Sequence, residues 1–269
     1  MRVAGARVLL TGASGGLGTE LARHLSAQGA QLVLSGRGGE RLSALADELG
    51  AMALPADLAL AQEVQRLAAQ AGEVDILIAN AALPATGHLL ELSQAQIDVL
   101  LAVNLLAPIR LTRAMAEGMA ARGRGHIVLI SSLAGKAASP LSSLYSASKF
   151  GMRGFAHSAR MDLSQHGIGV SVILPGFVRD AGMFADTGLK LPRGVGTSSP
   201  QQVSTAVLHA IEHNRTELVV APLAMRAGAN VAALAPALSA AIQKLAGARR
   251  MAVNMAARQA GKRPPGAPD

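Results

Sequence analysis

Cysteine, tryptophan and aromatic residues in general are scarce in this sequence. Its 269 residues include no cysteine, no tryptophan and one tyrosine, and aromatic residues make up only 2% of the chain. The absence of cysteine excludes disulfides, thiolate metal sites and a cysteine nucleophile, and it is compatible with a reducing cytosol. The histidines show no metal-ligand spacing, so no metal site is predicted. We interpret His88, His126 and His157 as surface or capping residues.

A signal sequence and a membrane-spanning run are also missing. Residues 1–7 lead directly into a strand-like run and a glycine turn, so no cleavable signal is predicted and we expect a cytoplasmic protein. The uncharged segment 227–243 is too short and too weakly apolar to span a bilayer. Hydrophobic residues make up 50% of the chain. With so few aromatics, this indicates a core of Ala, Leu, Val and Ile, which suits buried parallel strands.

Positive charge is concentrated toward the end of the chain. The formal net charge is +8, and from residue 222 onward seven cations face one acid, so this part carries +6 of the total. A solvated end is the simplest interpretation, and peripheral contact with an anionic membrane is the alternative. A nucleic-acid partner is not predicted, because nucleic-acid platforms usually interleave cations with aromatics and this part of the chain has none.

Short runs of Val, Ile and Leu alternate with stretches of helical period. This alternation is typical of repeated βαβ units and predicts an α/β fold, with a doubly wound, mostly parallel sheet of about seven strands and helices on both faces. The predicted strands lie at residues 7–10, 31–34, 52–54, 76–79, 126–130, 169–174 and 217–220. The predicted helices lie at residues 17–28, 40–49, 63–71, 93–122, 143–165 and 201–213.

No low-complexity linker divides the first 221 residues, which we predict to be one nucleotide-binding and catalytic domain. Within it, the glycine-rich residues 176–199 are predicted to form a mobile, apolar substrate loop. Residues 222–261 are predicted to be a basic, alanine-rich helical extension, with an apolar stripe from Val231 to Leu245 and a bend or helix start at Pro236. Core or subunit packing is the simplest role of that stripe, and covering a substrate or touching a membrane is the alternative. Residues 262–269 are predicted to be disordered.

A glycine-rich turn joins the first strand to the first helix. Glycines permit positive φ and let the backbone approach a pyrophosphate, while the helix N-terminus supplies free N–H groups. The position of this turn at the head of a βαβ unit predicts a dinucleotide site. Its predicted contacts are Gly12, Ser14, Gly15, Gly16, Leu17 and Gly18.

Arg37 follows the second strand, where an NAD-selective site usually places an acid. A guanidinium can bind a 2′-phosphate through two hydrogen bonds, so NADP(H) is the predicted cofactor and NAD(H) the second candidate. A solvated loop charge is the alternative role of Arg37.

Further landmarks follow in order, and the sequence resembles the short-chain dehydrogenase/reductase family over about its first two thirds. The resemblance implies an oxidoreductase that interconverts a ketone or aldehyde and an alcohol. It implies Tyr145 as general acid/base, Ser132 and Lys149 beside it, and Asn104 as a fourth member that shapes a helix and holds a water. It also implies Asp57, Leu58 and Asn80 as cofactor contacts, and we expect a homodimer or homotetramer. The landmarks are Thr11-Gly-x-x-x-Gly16-x-Gly18, Asn80-Ala81-Ala82, Asn104, Ser131-Ser132, Tyr145-x-x-x-Lys149 and Pro175-Gly176.

The chemistry of the Tyr145–Lys149 pair supports this interpretation. Residues four apart on a helix share a face, so Lys149 can hold its ammonium near the Tyr145 hydroxyl. We expect this cation, together with the oxidised nicotinamide in the alcohol-oxidising direction, to stabilise the phenolate and lower a pKa that is otherwise about 10. Ser132 precedes Tyr145 by 13 residues at the end of the fifth strand and can donate to the substrate oxygen. Ser131 is its close competitor.

Two positions depart from the family pattern, and the first, Ala79-Asn80-Ala81-Ala82 where the family often has Asn-Asn-Ala-Gly, is tolerable. At the second, Asp180 stands where a threonine often contacts the nicotinamide amide, which leaves the backbone of Val178 as the expected anchor. The predicted loop and the alanine-rich extension favour a hydrophobic carbonyl or alcohol as substrate. A non-catalytic NADP(H)-sensing regulator or scaffold is the alternative function. Such relatives usually lack the tyrosine or the lysine, and this chain keeps both.

Overall fold

A single parallel sheet forms the centre of the molecule. The computed structural model describes residues 1–84, 86–191, 195–245 and 247–259. The strand order is β3-β2-β1-β4-β5-β6-β7, and every neighbouring pair is parallel. The predicted doubly wound α/β fold is therefore confirmed. The strands are β1 (Arg7–Thr11), β2 (Gln31–Gly36), β3 (Met52–Pro55), β4 (Ile76–Ala79), β5 (Gly125–Ile130), β6 (Ile168–Pro175) and β7 (Glu217–Val220).

Helices cover both faces of this sheet. Successive side chains of a strand point to opposite faces, so Leu9 of β1 joins one apolar cluster and Leu10 joins the other. β5 and β6 are buried along their whole lengths, because both of their faces are covered. The helices of the main domain are α1 (Gly16–Ala27), α2 (Glu40–Leu49), α3 (Ala61–Ala71), α4 (Gln94–Leu101), α5 (Ala107–Ala121), α6 (Ser143–Ser164) and α7 (Pro200–Glu212).

The single helix predicted over residues 93–122 is interrupted by a π-helical turn, Ala102–Leu106, between α4 and α5. Pro108 explains the position of the turn, because it has no N–H to donate to the carbonyl of Asn104 four residues earlier. By length and composition the run Gln94–Ala121 could cross a membrane, yet half of its most apolar window is buried. Its α5 half packs against α3 and α6, as a core helix does.

The interpretation of His126 as a surface residue is wrong. It lies on the central strand β5 with 2% of its surface exposed, and its Nε2 is 2.9 Å from the Ser171 hydroxyl. Burial disfavours the charged imidazolium and lowers the pKa of His126 to about 4.

The C-terminal extension forms three helices, α8 (Leu223–Leu234), α9 (Pro236–Leu245) and α10 (Ala248–Gln259), and one of them begins at Pro236 as predicted. Its apolar stripe is not part of this chain's core, because Leu234 is 87% and Leu245 is 89% exposed. The expectation of core packing within the chain is therefore wrong. The predicted disorder of residues 262–269 lies outside the described residues.

Candidate active site

One cavity of about 1700 Å³ lies at the carboxyl ends of the strands. The strand order reverses between β1 and β4, and ligands of open α/β sheets bind at such a switch point. Every predicted site residue except Asn104 lines this cavity. They are Gly12, Ser14, Gly15, Gly16, Leu17, Gly18, Arg37, Asp57, Leu58, Asn80, Ser132, Tyr145, Lys149 and Val178.

The glycine turn between β1 and α1 leaves no room for side chains at three positions. Gly12 has a φ of +66°, and a Cβ there would lie 2.7 Å from the Ala81 Cα. A Cβ on Gly16 would lie 2.6 Å from the backbone nitrogen of Gly182, and one on Gly18 would overlap the Gly12 carbonyl oxygen. Gly15 precedes the first residue of α1 and has no side chain to cap the helix. The first N–H groups of α1 are thus available to phosphate oxygens, and the turn fits a pyrophosphate.

Thr11 and Asn80 fasten this turn to the end of β4. The Asn80 side-chain amide donates to the carbonyl oxygens of Thr11 at 3.0 Å and Gly12 at 3.3 Å. The Thr11 hydroxyl accepts from the backbone N–H groups of Asn80 at 3.1 Å and Ala81 at 3.2 Å. Thr11 was not predicted as a site residue, although it opens the glycine motif. Both side chains hold the backbone of the glycine turn in place, and in this way they position the predicted cofactor site.

Two arginines line the cavity beyond β2. Arg37 follows the strand directly, and Arg41 lies in the first turn of α2. Both are exposed, and the described residues form no ion pair with either. Glu40, between them, also lines the cavity and partly offsets their charge. Arg41 was missed, although its spacing of four from Arg37 was a usable signal. Two cations at a helix N-terminus suit an anionic group.

Asp57 and Leu58 line the same cavity after β3. The Asp57 carboxylate accepts from the Ala59 N–H at 3.0 Å, which stabilises the turn. Leu58 is buried and supplies an apolar wall.

The Lys149 side chain is buried in the wall of the cavity, and the end of β5 holds it there. It is 1% exposed, its ammonium donates to the Ile130 carbonyl oxygen at 3.0 Å, and its Nζ lies 5.7 Å from the centre of the Tyr145 ring. Burial disfavours the charged form and lowers the pKa of Lys149 to about 7. The predicted proximity of the two side chains on α6 is thus observed.

The structure distinguishes the two adjacent serines. The Ser132 hydroxyl interacts with the Tyr145 phenol, which lowers the pKa of that phenol, and it accepts from the Ala134 N–H at 3.1 Å. Ser131 is buried, and its hydroxyl donates to the Lys149 carbonyl oxygen at 3.0 Å. Successive residues of an extended backbone point to opposite sides, which separates their roles. Ser132 is therefore the neighbour of Tyr145, and Ser131 fastens β5 to α6.

Burial dominates the acidity of Tyr145. It raises the pKa of the phenol to about 12, and the interaction with Ser132 opposes this rise only in part. At neutral pH the Tyr145 hydroxyl therefore keeps its proton, as a proton donor requires. The lowering that we expected from Lys149 together with the oxidised nicotinamide stays a prediction for the nucleotide-bound enzyme.

Asn104 does not reach the cavity as a side chain. It is fully buried in the π-helical turn, where its Oδ1 accepts from the Leu83 N–H at 2.7 Å and its Nδ2 donates to the Leu83 carbonyl at 3.0 Å. The water that the resemblance implies at this residue stays a prediction, and because both ends of its amide are bound, Asn104 shapes the π-helical turn through its side chain. It is a positioning residue that fixes the segment after β4.

The loop after β6 and the C-terminal extension form the opposite wall. Val178 lines the cavity and pairs with Ser198 through an isolated bridge, whereas Asp180 pairs with Arg179 at 3.3 Å and is mostly exposed. Asp180 therefore does not take over the contact with the nicotinamide amide that a threonine often makes at this position. The remaining wall is apolar and methionine-rich, with Phe177, Met183, Phe184, Met225, Met251 and Met255.

Gln259 of α10 fastens the extension over the cavity. It is 5% exposed, its Oε1 accepts from the Thr86 hydroxyl at 2.8 Å, and its Nε2 donates to the Met183 carbonyl oxygen at 3.4 Å. These contacts join three distant parts of the chain, and no local pattern indicated them. Among the described residues no cluster of His, Cys, Asp or Glu could hold a metal ion.

Known proteins resemble the chain in sequence and in structure. The family model described as short chain dehydrogenase matches residues 6–191. The ketoacyl reductase HetN of Nostoc sp. is 38% identical over 225 residues, which cover 80% of this chain and 78% of that protein. Dehydrogenase/reductase SDR family member 7B of Xenopus laevis is 35% identical over 253 residues, which cover 86% of this chain and 78% of that protein.

Solved structures give the same result. A short-chain dehydrogenase from Sphingobium yanoikuyae in complex with NADPH is 29% identical, with a TM-score of 0.74 over 90% of this chain and 95% of that one. A metagenomic short-chain oxidoreductase in complex with NADP is 33% identical, with a TM-score of 0.69 over 82% of this chain and 99% of that one.

Proposed function

The chain belongs to the short-chain dehydrogenase/reductase family of oxidoreductases, and we propose that it interconverts a hydrophobic ketone or aldehyde and its alcohol with NADP(H). One observation carries the proposal. Ser132, Tyr145 and Lys149 lie together at the carboxyl end of β5, in the same cavity as the glycine turn and Arg37.

The three side chains have separate tasks in carbonyl reduction. Tyr145 donates its proton to the carbonyl oxygen, and Ser132 donates a hydrogen bond to the same oxygen as negative charge develops there. Lys149 has three N–H donors and uses one on the Ile130 carbonyl. The other two are available to a ribose hydroxyl and to the proton supply of Tyr145. When bound, the reduced nicotinamide supplies the hydride.

The preference for NADP(H) follows from the charges beyond β2. Arg37 and Arg41 line the cavity at the N-terminus of α2, where helix dipole and guanidinium groups both attract a 2′-phosphate. An acid that would bind the ribose hydroxyls of NAD(H) is absent at position 37. The NADPH- and NADP-bound relatives support the same preference.

The substrate side is built for an apolar molecule. Met225, Met251 and Met255 line the cavity across from the catalytic side chains, and flexible thioethers adapt to chains of varied shape. A ketoacyl reductase among the relatives agrees with a ketone on an acyl chain. We also propose a homodimer or homotetramer, since α6 exposes Phe150 and Met161.

A steady-state assay tests the function. The purified protein is incubated with NADPH or NADH and a series of ketones of increasing chain length, and nicotinamide oxidation is followed by absorbance. We expect turnover with NADPH and a higher kcat/KM for long apolar ketones, because the methionine wall contacts the chain. Ser132→Ala should reduce kcat while leaving NADPH binding intact. Tight NADPH binding without turnover on any carbonyl would instead indicate a nucleotide-sensing regulator.

A further inference from the structure

The C-terminal extension, α8 to α10, differs in charge from the rest of the protein. Residues 223–259 contain five cations and no acidic residue. All five cations are exposed, and no ion pair involving them occurs among the described residues. They are Arg226, Lys244, Arg249, Arg250 and Arg258.

Large apolar side chains are exposed on the same helices. Leu223 and Leu234 are 79% and 87% exposed, and their spacing of eleven residues places them on one face of α8. Leu238 and Leu245 are 55% and 89% exposed on α9, which packs against α8. A soluble surface rarely leaves so many leucines together in water. We call these four residues the leucine edge.

The cavity opens beside the leucine edge. Val231 of α8 and Ile242 of α9 line the cavity, yet they remain 39% and 50% exposed. They therefore lie at an opening of the cavity, between helices whose outer surfaces are apolar and cationic.

We propose that α8 to α10 dock the protein on an anionic membrane surface, with the leucine edge of α8 and α9 in the interfacial layer and the five cations at the lipid headgroups. Apolar contact and electrostatic attraction add in such binding, and neither requires a shaped partner. A second copy of this chain fits less well, because it would bring an equally cationic surface against the first. Resting on the proposed function, the same geometry lets a lipid-soluble carbonyl enter the cavity from the bilayer.

Vesicle co-sedimentation of the full chain tests the docking. Partitioning is measured on phosphatidylcholine vesicles with and without phosphatidylglycerol, at low salt and at about 1 M salt, where the Debye length is about 3 Å. We expect at least tenfold stronger binding to the anionic vesicles, lost at high salt. Arg249→Glu/Arg250→Glu should reduce binding at least tenfold.

Matched controls separate the docking surface from general charge and hydrophobicity. Arg110→Glu/Arg113→Glu makes the same charge change on the exposed side of α5 and should leave vesicle binding unchanged. Leu234→Asp should weaken binding, whereas Leu90→Asp, at a site 88% exposed elsewhere, should not. Equal loss in the control variants, or equal binding to neutral and anionic vesicles, would overturn the proposal.

The absence of tryptophan offers a second readout that needs no enzyme activity. Leu245→Trp introduces the only tryptophan of the chain. Its emission should shift to the blue, and lipid-borne bromine should quench it, with anionic vesicles only. Leu90→Trp should show neither effect. Docking without carbonyl turnover would leave the surface proposal intact and refute the proposed function. Turnover without docking would support the proposed function and refute the surface proposal.

Discussion

Replacing Lys149 by methionine should remove a pH dependence of stability that the active-site cavity creates. Lys149 is 1% exposed, and burial lowers its pKa from 10.5 to about 7. In the unfolded chain the same lysine keeps its ordinary pKa of about 10.4. Between these values the unfolded state binds more protons, so the free energy of unfolding rises with pH. Methionine has a similar length and carries no proton to titrate.

The size of this effect follows from the shift. Each pKa unit corresponds to about 1.36 kcal/mol, and we expect the wild type to gain about 3 kcal/mol between pH 7 and about pH 9.5. His126 and Tyr145, whose pKa values are also strongly shifted, change the free energy of unfolding little between pH 7 and about pH 9.5. His126, whose pKa is lowered to about 4, has reached its full contribution by pH 7. Tyr145, whose pKa is raised to about 12, lowers stability only above about pH 10, where the unfolded chain loses the phenol proton first.

Urea unfolding followed by circular dichroism measures the effect on protein without added nucleotide. Lys149→Met should show a nearly flat profile and a higher stability than the wild type at pH 7. Lys190→Met, at an exposed lysine, is the matched control and should retain the wild-type rise. A flat wild-type profile, or the same rise in Lys149→Met, would show that the buried Lys149 does not cause the pH dependence.

Three further predictions concern the walls of the cavity. Arg37→Asp should shift the NADPH-to-NADH affinity ratio about ten- to hundredfold toward NADH, since a charge-assisted contact contributes about 1.5 to 3 kcal/mol; an unchanged ratio in titrations of both cofactors would exclude a contact with the 2′-phosphate. Gly16→Ala should weaken NADPH binding because its Cβ would lie 2.6 Å from the Gly182 nitrogen, while Gly154→Ala, with no atom within 4 Å of the new methyl, should bind normally. Gln259→Ala should reduce kcat/KM for long ketones more than for short ones and spare the Kd of NADPH, whereas equal losses on both would show that α10 does not cover the substrate.

The fold was accessible from the sequence because its signals are local. Alternating apolar runs and helical periods placed all seven strands, and the glycine turn lines the cavity at the carboxyl ends of the strands as expected. The π-helical turn arises because Pro108 has no N–H to donate to the Asn104 carbonyl. The spacing of the apolar residues does not reveal this interruption of the helix. The burial of His126 depends on the position of β5 within the sheet, which requires the topology.

The residues that form the site could be predicted from the sequence, but their pKa values and tertiary contacts were less predictable. Ser132, Tyr145 and Lys149 are adjacent as expected, yet the burial that raises the Tyr145 pKa depends on the tertiary structure. Asn104 is held by Leu83, and Gln259 contacts Thr86 across 173 positions, so both contacts depend on tertiary structure. The spacing of the apolar stripe on α8 and α9 was visible in the sequence, but its exposure to solvent was not.

In the proposed function, Tyr145 delivers the proton of an NADPH-dependent carbonyl reduction. Tyr145→Phe keeps the ring and removes the hydroxyl, so single-turnover oxidation of bound NADPH by a long-chain ketone is the sharpest test of that role. A positioned general acid contributes about 10²- to 10⁴-fold to the rate. We therefore predict a loss of this size in the variant, with the Kd of NADPH unchanged within about threefold. A rate near that of the wild type, in a variant that binds NADPH normally, would contradict the assignment.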